Sequence, residues 1–280
     1  MKHTSSYRVI LEDSRLWSFG EEVLGIDLVT EKVYSLAGAL NLPELLIHLR
    51  KRQECDELHE VWLKTALVKA AARGSLGAFR EGCSLLPPIE DLSSSSKWSL
   101  TRARSEHWTT CYIEAAQNNH TEIIEDIISR GEKPTDSKIT DAALKHGHVQ
   151  CLTVLKAAQC PLSPTCMEDT CRSLGTSGQH VMRFLNAHGV PWTAATYRAA
   201  VDLGQLDMLE FLHREGCPWD ADVAVHIVTK GRLEMLEYVM THFMSVPPNL
   251  LLKAIGTSTN IPPRRMETVA FLVDPATTCN

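Results

Sequence analysis

Through the central and C-terminal parts of the chain, apolar side chains recur at helical spacing in short blocks separated by polar turns. Leu206, Leu209 and Leu212, with Met208 and Phe211 beside them, fall on one side of a helix, and Leu233, Leu236 and Val239 repeat the arrangement further on. Each such block follows a shorter one that carries small residues: Ala115-Ala116, Ala142-Ala143 and Ala199-Ala200. Small side chains let a helix lie close against its neighbours. The turn between the two blocks reads NNH, HGH, TSGQ, LGQ or KGR, and a glycine there reaches the left-handed backbone region without steric cost. The second block stops at Gly189 or Gly216, with Pro191 or Pro218 two residues later, where the ring cannot continue a helix. The pattern predicts a helix–turn–helix unit used again and again.

The residue just before each second helix sets the register. Ser75, His120, His148, Gly178, Gln205, Arg232 and Arg265 are equivalent, with central spacings of 28, 30, 27 and 27 and longer gaps of 45 and 33 at the two ends. Trp192 and Trp219 occupy matching places after Pro191 and Pro218, where they are expected to pack over the junctions between successive units. Cys217 matches Val190 and Cys160, so its position reads as a small apolar slot and not as a reactive thiol. One such unit cannot bury its apolar face alone, and stacking with neighbours completes the core. The fold class expected is all-α, an α-solenoid of stacked helix–turn–helix repeats with shortened inter-repeat loops.

The stretches AALKHGHVQCLTVLKAAQC (142–160), AAQNNHTEIIEDIISRG (115–131) and AVDLGQLDMLEFLHREGC (200–217) resemble the ankyrin repeat. The likeness covers residues 108–274 well and 60–86 weakly, and it does not reach 1–55. The family's opening Thr-Pro-Leu-His is missing throughout, and the period is shorter than the usual ~33 residues. Fingers between repeats cut down to a tight Pro-Trp loop account for both departures.

Outside the clean repeats, residues 1–35 read as an irregular segment. Residues 36–83 read as degenerate N-terminal repeats or a cap, with a turn at Asn41-Leu42-Pro43. Residues 84–107, rich in serine and proline, read as a surface loop, and 108–280 as the repeat array with a C-terminal cap. Hydrophobic residues make up 44% of the 280, ample for a packed core. The formal net charge of −6 argues against a dominantly nucleic-acid-binding chain, though KWSLTRAR at 97–104 gathers three basic residues near Trp98. No apolar run approaches the ~18 residues that span a bilayer. Nine cysteines without a framework read as free thiols in a reducing intracellular compartment. The cytoplasm is the favoured location and the mitochondrion the other.

Candidate chemistry is sparse. His146 and His148 lack the further ligands a zinc site requires, and a hydrogen bond to the turn backbone is the simpler role for His148. Cys166 and Cys171 have no second pair to complete a set. Acidic pairs such as Glu21-Glu22 and Glu168-Asp169 read as solvated helix faces. No phosphate loop, dinucleotide fingerprint or nucleophile elbow occurs. The expectation is therefore no catalytic residue, no metal and no cofactor.

Repeat arrays bind macromolecules on the surface that their first helices and loops present. By the ankyrin resemblance, that surface includes Gln117, Asn118, Lys145, His146, Arg198, Asp202, Thr229 and Lys230. The expected role is a protein–protein interaction scaffold or adaptor, with membership of a multi-subunit complex as a narrower form of it. An organellar or ribonucleoprotein subunit that touches RNA through the basic 84–107 stretch is the alternative. Catalysis at an unrecognised site is a third.

Overall fold

The computed structural model describes residues 30–51, 56–86 and 94–242, with side chains placed from residue 60 in the third helix and from 105 in the fifth. Among the described residues there is no strand. Helices follow one another in pairs: α1 (Glu31–Ala39) and α2 (Pro43–Lys51), α3 (Asp56–Arg73) and α4 (Leu76–Ser84), α5 (Ser94–Gln117) and α6 (Thr121–Ser129), α7 (Ser137–His146) and α8 (Val149–Ala157). Then come α9 (Cys166–Leu174) and α10 (Gln179–Ala187), α11 (Ala194–Leu203) and α12 (Leu206–Arg214), α13 (Ala221–Lys230) and α14 (Leu233–His242). The chain divides into two compact units, residues 1–144 with 148–163, and residues 145–147 with 164–280.

In the first unit, Val33, Tyr34, Ala37, Leu45, Leu46, Leu49, Leu63 and Ala66 form a buried cluster from α1, α2 and α3. A Cβ on Gly38 would overlap the Ala66 carbonyl oxygen, so glycine is what allows α1 to lie directly on α3. The irregular reading of 1–35 is corrected where it overlaps this packing. Helix α1 starts at Glu31, because Val33, Tyr34 and Ala37 bury one face at helical spacing. Residues 1–29, the closing copy after 250 and the C-terminal cap lie outside the described residues.

The surface-loop reading of 84–107 is corrected from residue 94 onward, while 87–93 lies outside the described residues. Ser94 opens a helix that runs unbroken to Gln117. No glycine or proline stands between Pro88 and Gln117, and serines at a helix start satisfy end N–H groups as well as they serve a loop. Lys97, Trp98, Arg102 and Arg104 thus belong to a helix, not to the loop that the RNA alternative assigned to them.

The second helices repeat one burial pattern. The third, fourth and seventh residues after the register position are buried: Ile123, Ile124 and Ile127 on α6, and Cys151, Leu152 and Leu155 on α8. In the second unit the same places hold Val181, Met182 and Leu185, then Met208, Leu209 and Leu212, then Met235, Leu236 and Val239. Each large side chain so buried stabilises by about 1.5–3 kcal/mol. The alanine pairs of the first helices are buried as well, which is how α5, α7 and α11 come close to their neighbours.

First helices are tied to the loop that closes their own repeat. Tyr112 Oη donates to the Glu132 carbonyl at 2.6 Å, Thr140 Oγ1 to Pro161 O at 2.8 Å, and Tyr197 Oη to Cys217 O at 3.5 Å. In return the loop thiols bond backward, Cys160 Sγ to Asp136 O at 3.7 Å and Cys217 Sγ to Thr193 O at 3.4 Å. Desolvation by burial pushes each of these two thiols up to about 12, so neither is a thiolate at neutral pH. Residues 188–193 and 215–220 suffice to link successive pairs, so the inter-repeat connections are short.

Candidate functional site

Every described register residue immediately precedes its second helix, and most also reach across to the repeat before. Ser75 Oγ donates to Ala39 O at 3.3 Å, His148 Nε2 meets Gln117 O at 3.0 Å, and Arg232 Nη2 donates to Asp202 O at 3.3 Å. Gly204, with φ +69, shows why the turn wants glycine twice over. Its backbone is left-handed, and a Cβ would strike the Arg232 guanidinium lying across it. His120 lies over Gly74 and Gln205 over Gly175 in the same manner. Apart from the α9–α10 hairpin, whose register residue is Gly178, each of these hairpins thus sets one polar side chain against the hairpin before it.

These clamps leave the C-terminal tips of the first helices at the surface. Of the residues expected to meet a partner, Gln117, Asn118, Lys145, His146, Asp202, Thr229 and Lys230 are exposed and Arg198 is half-buried. In the first unit, Asn118 is folded back onto Glu114 O at 2.8 Å. In the second, Asp202 and Lys230 come together: Lys230 Nζ is 2.7 Å and His226 Nε2 2.9 Å from Asp202 Oδ1. The Lys230 hydrogen bond is the main reason the Asp202 carboxyl sits below the usual carboxylate range, and His226 adds to it. His226 and Arg232 lie one repeat beyond Asp202. They stand 24 and 30 residues along the chain, either side of one repeat period, the signal by which the register could have assigned them to this cluster.

Gly189 and Gly216 end their helices with φ +90 and +74, and Pro191 and Pro218 follow in exposed loops. Trp192 and Trp219 are half-buried, and their rings take different partners. Trp219 stands edge-on to Tyr197 with centroids 5.3 Å apart, whereas Trp192 stands edge-on to Phe211 at 6.1 Å. Thr170 occupies the place of Tyr197 one repeat earlier, so Trp192 has no ring there to meet.

One acidic pair departs from the solvated-face reading. Asp169 is exposed, but Glu168 is buried and accepts from Thr193 Oγ1 at 2.6 Å, joining α9 to the loop before α11. Cys166 and Cys171 are both buried on α9, and desolvation pushes Cys171 up to about 12. Among the described residues, no group of three or more histidines, cysteines or carboxylates is placed to hold a metal ion, and no helix is long and apolar enough to cross a membrane.

No protein-family model matches the chain, and no curated protein matches it. Among solved structures, the crystal structure of the pentatricopeptide repeat protein PPR10 from maize is similar at 14% identity, with 97% of this chain and 48% of that chain covered and a TM-score of 0.33. The chain therefore spans about half the length of that protein. The class its own coordinates define is an all-α protein built of successive helical hairpins.

Proposed function

We propose that this chain is a non-catalytic protein-binding scaffold of ankyrin-like repeats, and that it works through the tips of its first helices. The observation that carries the reading is the division of labour within each hairpin. Among the described residues, six of the seven thiols are buried, and register residues, the other groups chemistry would call on, are spent on inter-repeat hydrogen bonds. What remains at the surface, hairpin after hairpin, is a polar tip: Gln117-Asn118, Lys145-His146, Asp202, Thr229-Lys230. Such repeated, variable, rigidly held positions suit partner choice, and a chain of this kind serves as an adaptor or as one subunit of a larger assembly.

The test compares capture by the native chain with capture by Lys145→Glu/Lys230→Glu. Loss of the Lys230–Asp202 pair costs well under ~1 kcal/mol at such exposure, so the variant folds. A stoichiometric partner taken by the native chain and lost at least tenfold by the variant supports the tip surface. A Glu122→Lys/Glu125→Lys variant on the second-helix side of α6 should keep it. Equal capture by all three chains rejects the assignment.

A further inference from the structure

The last two hairpins of the second unit sort their exposed charge by face. On α12 and α14 the outward carboxylates are Asp207, Glu210, Glu234 and Glu237, with Arg214 nearby, whereas α10 before them exposes Arg183 and His180. At the first-helix ends the sign reverses: Lys145 and His146 close α7, Arg172 closes α9, and Lys230 closes α13. The net charge of −6 for the whole chain conceals this separation.

Two carboxylates stand among the tip cations: Asp169 lies 3.6 Å from Arg172 in a loose, exposed pair that a partner can displace, and Asp202 is already spent. Asp202 takes both Lys230 and His226 on a single oxygen. Arg232 gains nothing from it, because its Nη2 rests on the Asp202 carbonyl oxygen while its Nε is buried with no acceptor. Arg198 is half-exposed on α11, between the α9 and α13 tips in chain order. Beside Asp202, Leu203 is 37% exposed, an apolar contact in the middle of the basic edge.

From this we infer that the tip surface of the second unit receives an acidic segment of a protein partner, with carboxylates on Arg172, Arg198 and Lys145 and an apolar side chain against Leu203. Fields of opposite sign on the two faces orient the encounter, since an acidic chain is repelled by Glu210 and Glu237 and drawn to the tips. Nucleic acid shares the negative charge but wants aromatic platforms for its bases, and the tips present none among the described residues. This inference rests on the scaffold reading above and adds the chemistry of the partner.

The experiment is a fluorescence-anisotropy titration of the full chain with a short labelled peptide of glutamates around a central leucine. Saturable binding that weakens as salt rises is expected, with a matching lysine peptide bound at least tenfold more weakly. Arg172→Gln/Arg198→Gln should weaken the acidic peptide about tenfold, the size of losing two partly screened ion pairs. Arg214→Gln, on the acidic face, should leave it unchanged. Equal effects of Arg214→Gln and the tip pair, or preference for an oligouridylate over the peptide, overturn the inference. If the peptide fails while Lys145→Glu/Lys230→Glu still abolishes capture of the native partner, the acidic-partner inference falls alone. If both fail, the scaffold reading falls with it.

Discussion

Six residues after the register position, the second helices of the first unit carry Glu81, Asp126 and Val154, and those of the second unit carry Phe184, Phe211 and Tyr238. The place is the same, and Asp126, Phe211 and Tyr238 each meet the preceding hairpin from it, but the chemistry differs. In the first unit Arg80 Nε reaches Asp126 Oδ1 at 2.7 Å, and Arg130 Nε takes Oδ2 of the same carboxylate at 2.7 Å. In the second, Arg183 stands one residue before that place, like Arg80, yet its guanidinium lies over the Phe211 ring, 5.2 Å from the centroid, and pairs with Glu215 at 2.8 Å. Trp192 closes the edge of that ring. The register therefore dictates where neighbouring hairpins touch and leaves open how. A charge brace and a ring brace fill one geometric slot, and they should respond differently to truncation, acid and salt.

Truncation gives the largest difference. Phe211 is fully buried, so Phe211→Ala removes core volume together with the seats of Arg183 and Trp192, and about 4 kcal/mol of stability should go. Asp126→Ala removes hydrogen bonds from two guanidinium groups, one exposed and one partly buried, and should cost about 1–2 kcal/mol. Urea unfolding followed by tryptophan fluorescence measures both. Equal losses would show that the two braces are energetically alike and would end the contrast.

That contrast was half legible in the chain. Helical spacing and turn glycines located the hairpins because burial of Ile123, Met208 or Met235 admits only one face of a helix. The register residues were legible for the same reason, since each stands at the start of a second helix and all but Gly178 meet the hairpin before. Helix α5 was not, because a serine run suits a helix start as readily as a loop, and only packing of Trp108, Cys111 and Tyr112 extends the helix back from the repeat. Glu168 was read as solvated because its partner, Thr193, lies a repeat away where no local pattern points. The acid–base segregation between tips and second-helix faces was equally hidden, since net charge sums over both.

Acid separates the braces next. Burial alone would raise the Asp126 carboxyl, but hydrogen bonds from Arg130 and Arg80 and their charges outweigh it and hold the group below the ordinary carboxylate range. A group depressed in the folded state contributes stability that is fully present above its unfolded pKa, about 4, and is lost as pH falls through the lower folded value. The gap between native chain and Asp126→Asn should therefore be about 1–2 kcal/mol at neutral pH and close as pH drops below ~4. Phe211 has no proton to gain, so the gap between native chain and Phe211→Leu should change far less over the same range. A gap for Asp126→Asn that persists into strong acid would show that its charge contributes nothing.

The finest test leaves charge in place and changes only its shape. A guanidinium is flat and weakly hydrated, so it can lie on the Phe211 ring and still reach Glu215, whereas an ammonium is a hydrated point that must choose. Arg183→Lys should cost about 0.5–1 kcal/mol, the worth of an exposed cation–π contact, and little of that loss should depend on salt. Arg80→Lys in the first unit keeps a pair that any cation can make with Asp126, so its smaller cost should vanish as salt rises. If Arg183→Lys proves as salt-sensitive as Arg80→Lys, then Glu215 and not the ring holds the guanidinium, and the second brace is a salt bridge that happens to lie over Phe211.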